Sequence, residues 1–339
     1  MTLARVALTG AIGVVGVIAF RAAGLPLPFL LGPMLACLIA ALCGVRLDSW
    51  PPLTNTMRTI LGVAVGASFT PAIVGQMGGM IASLAMVPVF LLVCGALGYP
   101  FLRRVAGFDK ATAFYAAMPG GLQDMLLFGE DSGGDPRALS LLHATRILLI
   151  VTILPVLLWT VWGIDLTLPP GAPLRGVPWW ELAAMVAAAI GGWQLAKRVG
   201  LIGASLLGPL IAAAVLALSG VITQRPPAEA IQAAQFFIGI VVGVKYTGIS
   251  LAEIRRVLTA GLGHAAILGG VAFVFAEIAI TMGLARPIDA ILAFAPGGQA
   301  EMAVLAIVAG ADVAYVVAHH VLRIVFVITC APVVFRVLR

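Results

Sequence analysis

The chain matches itself. Residues 24–45 (GLPLPFLLGPMLACLIAALCGV) align with residues 200–221 (GLIGASLLGPLIAAAVLALSGV) at an offset of 176, with eleven of 22 positions identical. Leu31-Gly32-Pro33 falls on Leu207-Gly208-Pro209. One inserted residue later the offset is 177, and Gly62, Gly66 and Thr70 meet Gly239, Gly243 and Thr247. Pro119-Gly120-Gly121 then meets Pro296-Gly297-Gly298, and Asp124-Met125 meets Glu301-Met302. Asp135 meets Asp312, His143 and Arg146 meet His320 and Arg323, and Pro155 meets Pro332. Colinear pairs over a whole half define two copies of one unit: a first repeat over 1–165, a loop over 166–177 and a second repeat over 178–339.

Each copy is too apolar to fold in water. Of the 339 residues 62% are apolar and 10% charged, where soluble domains carry about 25% charged residues. That balance excludes a soluble globular protein, a disordered chain and a disulfide scaffold. At roughly 20 apolar residues per crossing, the length allows about ten spans. Apolar runs lie near 5–22, 25–45, 57–73, 79–102 and 138–163, and again near 180–198, 201–222, 233–250, 258–281 and 315–337. Before the last run of each copy stands a shorter stretch, 109–132 and 286–311, interrupted by Pro-Gly-Gly. The expected fold is an all-α polytopic membrane protein. The first 23 residues have the form of a signal peptide, with Arg5, an apolar run and Ala22-Ala23. The duplication pairs this segment with one in the second half, so we expect a retained first span.

Basic residues set the orientation. Arg103, Arg104 and Lys110 follow the fourth run of the first copy, whereas Arg255 and Arg256 follow the third run of the second. Cytoplasmic loops attract Lys and Arg, so equivalent loops are expected on opposite sides. With the N-terminus inside and five crossings per copy, 13 basic residues fall inside, four outside and three within spans. The repeats are therefore expected to be inverted, with both termini cytoplasmic in a bacterial inner membrane. Five crossings require the Pro-Gly-Gly stretch to enter and leave on one side, or else to be a broken helix buried in protein. Inverted repeats with interrupted helices are a layout of secondary transporters, whose site lies where the breaks meet and whose access alternates as one bundle moves against another.

The net charge of +6 sits in short loop clusters, and no stretch is polar enough to carry a nucleic-acid module. Cys37, Cys43, Cys94 and Cys330 lie singly in apolar runs and read as small hydrophobes.

The candidate site follows from the repeat. Proline stops a helix and two glycines admit a ligand to bare backbone. Pro119, Gly120, Gly121, Pro296, Gly297 and Gly298 are thus expected to bind solute, with the N-terminus of the following short helix favouring an anion; a tight turn for close packing is the bland alternative. Asp124 and Glu301, three residues later, are expected either to bind a coupling H+ or Na+ or to cap that helix. His143, Arg146, His320 and Arg323 share one helix face per copy, one turn apart. They either clamp the hairpin, with Asp124 or Glu301 as partner of the arginine, or contact an anionic solute. Lys245, matched by Ser68, is a candidate solute cation or a snorkelling side chain. Thr70-Pro71 and Thr247-Gly248 mark a second pair of weak points whose oxygens could ligate a cation or simply kink a helix. Glu277 is single, opposite Pro100, and carries no assignment. His319 and His320 are the sole adjacent pair of ligand type, but neighbours on a helix point about 100° apart, so no metal site is expected. There is no HExxH, GxSxG or GKS/GKT motif, and we expect neither an enzyme nor a cofactor.

The paired motifs PGGLQDM at 119–125 and PGGQAEM at 296–302, each followed by a His-x-x-Arg helix, make the chain similar to the AbrB-type duplicated membrane proteins of bacteria, which are also labelled ammonia monooxygenases. The resemblance spans essentially the whole chain. It implies an inner-membrane protein whose family labels mention regulation of gene expression and monooxygenase activity, and it carries no catalytic residues over. The sequence itself lacks both a metal cluster for oxygen chemistry and a cytoplasmic domain for DNA. The leading expectation is a secondary transporter of a small, plausibly anionic solute coupled to H+ or Na+. The alternatives are a membrane sensor that affects gene expression indirectly and, third, a membrane-bound monooxygenase. A homo-oligomer is left open.

Overall fold

The computed structural model describes residues 2–69, 71, 77–201 and 203–338. Among these the chain forms fourteen α-helices and no strand. Thr70, one of the expected ion ligands, lies outside the described residues.

Two compact units emerge, and each draws helices from both sequence copies. The first comprises Met1–Met77, Pro155–Gly248 and Ala303–Ala314. It holds α1 (Leu3–Ala22), α2 (Pro28–Leu42) and α3 (Pro51–Gly66) from the first copy. From the second copy come α8 (Trp179–Arg198), α9 (Ala204–Leu218) and α10 (Ala228–Val244). The second unit comprises Gly78–Leu154, Ile249–Met302 and Tyr315–Arg339. In it lie α4 (Ile81–Pro100), which runs into a π-turn at Phe101–Val105, then α5 (Lys110–Ala117), α6 (Leu122–Asp131) and most of α7 (Pro136–Trp162). Their counterparts are α11 (Leu251–Thr281), α12 (Pro287–Phe294), the start of α13 (Gln299–Val308) and most of α14 (Val313–Leu338).

Glycine decides the packing of the first unit. Here α2 lies on α10 and α3 on α9, while α1 and α8 lie on α2 and α9 in turn. A Cβ built on Gly62 or Gly66 would stand less than 3.0 Å from the carbonyls of Leu206 and Leu210, and one on Gly239 or Gly243 equally close to those of Leu30 and Met34. Gly16 meets Gly32 and Gly192 meets Gly208 in the same way. Positions matched by the sequence offset make matched contacts. Apolar side chains gain little by leaving lipid, so helices there associate through close backbone approach at small residues.

The helix starts are also matched. Leu27 (φ 48) and Gly203 (φ 67) precede α2 and α9 in the left-handed region; Leu27 is the one non-glycine residue with positive φ among those described. The turn through this conformation begins α2 and α9 a few residues later than the apolar runs predict. At 15 residues each, they extend only about 22 Å at 1.5 Å per residue, below the roughly 30 Å of a hydrocarbon core. Among the described residues five helices are long and apolar enough to cross by themselves: Leu3–Ala22, Ile81–Val105, Pro136–Trp162, Glu253–Thr281 and Val313–Leu338. The Pro-Gly-Gly stretches are each two short helices, as the sequence pattern predicts.

Gly62→Val and Gly239→Val each drive a side chain into a backbone carbonyl that cannot give way. Each is expected to cost at least about 1–3 kcal/mol of stability, read as a lowered thermal midpoint in detergent. Gly10→Ala, where a Cβ meets nothing within 4 Å, leaves that midpoint unchanged or raises it.

Candidate functional site at the paired helix breaks

In the second unit the chain twice leaves a helix and restarts it within four or five residues. Helix α5 ends at Ala117, Met118 turns extended (ψ 125), and α6 begins after an extended Gly121. Helix α12 ends at Phe294, Ala295 turns extended (ψ 129), and α13 begins at Gln299. Each break strands carbonyls behind it and N–H groups ahead of it.

Arginine takes the carbonyls. Arg146, on α7, donates from Nη1 to the Met118 carbonyl and from Nη2 to the Gly120 carbonyl, both at 3.3 Å. Arg323, on α14, donates to the matched carbonyls of Ala295 and Gly297, both at 2.8 Å. Both guanidinium side chains are buried, at 1% and 3% exposure, so these charge-assisted bonds form away from water. The Nε of each arginine makes no hydrogen bond among the described residues.

The acids take the other end. Asp124 folds back over Gly121, where a Cβ would lie 2.5 Å from Oδ2, and Glu301 folds back over Gly298 in the same manner. Each is the third residue of its helix, the place where a carboxylate meets free N–H groups and the positive end of the dipole. Backbone carbonyls thus stand among the arginines' partners, and Glu301 is within electrostatic reach of Arg146. The carboxylates lie at the N–H end of each break and the guanidiniums bond the carbonyl end, so charge follows the polarity of the broken backbone.

The breaks are neighbours. Val327, one turn beyond Arg323 on α14, would stand 2.7 Å from a Cβ at Gly120. Arg146 and Arg323 feel each other's charge, Arg146 feels Glu301, and buried Cys94 on α4 feels both arginines.

All four histidines of the chain are buried in this unit: His143, His264, His319 and His320, each 1% exposed. His320 is held on both sides, with Nε2 donating to the Leu292 carbonyl at 2.9 Å and Nδ1 accepting from Arg323 Nη2 at 3.0 Å. His319 Nδ1 donates to the Tyr315 carbonyl at 2.8 Å. His143, the counterpart of His320, has the matched carbonyl, that of Tyr115, before it, and neither of its ring nitrogens closes a hydrogen bond of good geometry among the described residues. His264, on α11, brings Nε2 against Gly98 and the Ala117 carbonyl at the end of α5, likewise short of a well-formed bond among the described residues.

The surroundings differ as well. Around the second break Phe90, Phe275 and Phe294 stack edge-on and tilted at 5.5–5.8 Å between centroids, and Phe294 packs on His319. The positions matching Phe275 and Phe294 are Gly98 and Ala117. The first break has its own rings, Phe114 and Tyr115 on α5 stacking with Phe335 and Tyr115 with Phe128, but at these two matched positions it carries small residues and an imidazole in place of phenyl rings.

Of the residues expected from sequence, Pro119, Gly120, Gly121, Asp124, His143, Arg146, Pro296, Gly297, Gly298, Glu301, His320 and Arg323 all fall in this unit. Lys245 and Thr247 do not: both belong to the first unit, just past the end of α10, where Lys245 is exposed and feels Arg58. His264 and Cys94 were missed because neither has a partner in the duplication. A single histidine within an apolar run was the available signal.

A family model described as "Transition state regulatory protein AbrB" matches residues 29–339. This chain belongs to the AbrB family. A family member from Escherichia coli (strain K12), named "Putative regulator AbrB", is 26% identical over 334 residues, covering 94% of this chain and 92% of its own. "Uncharacterized protein YhjN" of Bacillus subtilis (strain 168) is also 26% identical, over 296 residues covering 83% and 77%. No solved structure matches.

Replacing Arg323 by Met orphans two buried carbonyls and the Nδ1 of His320, at about 1–3 kcal/mol for each group. Arg146→Met releases longer bonds and no histidine. The thermal midpoint of purified protein is therefore expected to fall further in Arg323→Met than in Arg146→Met; the reverse order would refute the clamp as described.

Proposed function

We propose that this AbrB-family protein is a secondary transporter of a small anionic solute, coupled to a cation, in the bacterial inner membrane. The observation that carries this reading is the pair of neighbouring helix breaks, each braced by a buried arginine with an unused Nε donor. A broken helix inside an apolar protein exposes backbone polarity at a place where lipid cannot satisfy it, and this is how many transporters build a midplane site. The sequence offset and the charge asymmetry of the loops support inverted repeats, with both termini cytoplasmic and five crossings per copy.

Formal charge explains the coupling. Arg146 and Arg323 are balanced by Asp124 and Glu301, so the site is neutral before solute arrives. An anion entering alone would leave an unpaired charge in a buried place, which is costly. A cation moving with it removes that cost.

The name of the E. coli relative favours a second reading, a membrane sensor that binds a metabolite in the same cleft and affects gene expression indirectly. Flux separates the two. Purified protein in vesicles, offered a panel of labelled carboxylates, is expected to move at least one of them against its gradient when a proton or sodium gradient is imposed. Gly120→Val, which pushes a side chain onto Val327 at the tip of the first break, is expected to lower that flux at least tenfold while the protein still inserts. Unchanged flux in an inserted Gly120→Val, Gly297→Val double variant would remove the tips from the pathway. Binding of a carboxylate with no flux would favour the sensor.

A further inference from the structure

The first unit holds a polar cavity of its own. The loop over 163–178, between α7 and α8, is tied to the starts of α2 and α10. The Leu27 N–H donates to the Leu166 carbonyl at 3.4 Å, the Ala228 N–H to the Ala172 carbonyl at 2.8 Å and the Leu174 N–H to Glu229 Oε2 at 3.0 Å. Between this loop and the helix starts lies a cavity of about 120 Å³, the liquid volume of roughly four waters. Among the described residues that line it, Arg21 alone carries a charge. Arg21 stands exposed in the last turn of α1, with its guanidinium carbon 4.9 Å from the centroid of the Phe29 ring. Gln232 and Gln235 line it from α10, three residues apart and so on one face. Gln235 is 3% exposed, and its Nε2 makes no hydrogen bond among the described residues. Buried polar atoms without partners are uncommon in folded proteins and call for a reason. The remaining wall is the start of α2, where Leu27, Pro28 and Phe29 all line the cavity. That helix end has no side-chain cap and no acid in its first turn, so the positive end of its dipole stands uncompensated. The acid of the loop, Asp165, is turned onto the loop itself, accepting from the N–H and Oγ1 of Thr167 at 2.9 and 2.6 Å.

We propose that this cavity is a binding site for a single phosphate group, and its place in the fold favours that of a phospholipid headgroup. A guanidinium at the mouth, amides on the inner wall and the start of a helix are three donor sets converging from α1, α10 and α2, the chemistry that holds a phosphate oxyanion. Arg21 balances the single negative charge of a phosphodiester, and the Gln235 amide gains the partner that the protein withholds. The level in the membrane is marked by tryptophan. Trp159 and Trp162 end α7, Trp179 and Trp180 begin α8, and all four are exposed. Tryptophan collects at the height of the headgroups, so the loop that these residues flank lies where lipid phosphates are. Basic recesses between membrane helices take headgroups in this way, and Leu168, 58% exposed on the loop, gives the rim an apolar edge for the carbon of the ester. The positions matching Gln232, Gln235 and Leu27 are Asn55, Arg58 and Gly203, so the duplication does not repeat this set of groups. The inference is independent of the transporter reading: a bound lipid would tie α1, α2, α10 and the loop together whatever the protein moves.

The whole protein in detergent is titrated with dioleoylphosphatidylglycerol, read by native mass spectrometry, and separately with inorganic phosphate, read by calorimetry. One lipid per chain is expected to bind saturably and to raise the thermal midpoint, as a ligand of the folded state must. Arg21→Gln and Gln235→Leu are each expected to weaken that binding at least tenfold. Arg175→Gln, an exposed cation of the same loop that does not line the cavity, is expected to leave it unchanged. Gln235→Leu replaces an unpaired buried amide by an apolar group, so its lipid-free midpoint is expected to hold or rise. If that variant fails to fold, Arg21→Gln at its exposed position decides. Phosphate that saturates with the same dependence on Arg21 and Gln235, where the lipid does not, upholds the site and assigns it to a soluble phosphate. Saturation by neither probe, undiminished binding in a folded Arg21→Gln or Gln235→Leu, or an equal loss in Arg175→Gln would overturn the proposal.

Discussion

A helix that stops and restarts inside apolar surroundings leaves carbonyls at one end of the gap and N–H groups at the other, and the chain must meet both itself. This protein assigns them by charge. Arginines reach from a neighbouring long helix to the carbonyl side, and carboxylates fold back onto the N–H side from within the restarted helix. The glycines allow the acids to curl over bare backbone, since a side chain at Gly121 or Gly298 would occupy the volume of the acid itself. The consequence is a gap that is polar and formally neutral, with its carbonyl rim held by arginine.

The two gaps stand at positions matched by the sequence offset, and yet they are unequal. At the second, Phe275 and Phe294 close over a histidine whose two nitrogens are both engaged. At the first, Gly98 and Ala117 stand in their places, and the vacated space receives His264 from α11. The arginine bonds follow the same trend, 2.8 Å at the second break and 3.3 Å at the first.

The legible parts of this structure are those that repeat. Pro-Gly-Gly marks the breaks because no uninterrupted helix accommodates that triplet, and His-x-x-Arg marks the bracing helix because two polar residues one turn apart in an apolar run need a common purpose. What the sequence did not disclose was that backbone carbonyls are among the arginine's partners. Acid and base in the same apolar half suggest an ion pair, but the backbone at a helix break is itself a pair of opposed partial charges. That competitor is invisible to residue pairing. His264 and Cys94 escaped for a different reason, since a search guided by matched positions passes over unmatched ones. Helices α2 and α9 came out shorter than their apolar runs at both ends; at the start, the left-handed residue at 27 and 203 accounts for the loss.

The glycine contacts of the first unit bear on how such a fold arises. Helix α2 of the first copy closes on Gly239 and Gly243 of the second, and α9 of the second copy closes on Gly62 and Gly66 of the first. Each copy offers one carbonyl face and one glycine face, and neither face is met within its own copy. A single unit is therefore incomplete by construction: its α3 presents two bare glycines that only a second unit covers.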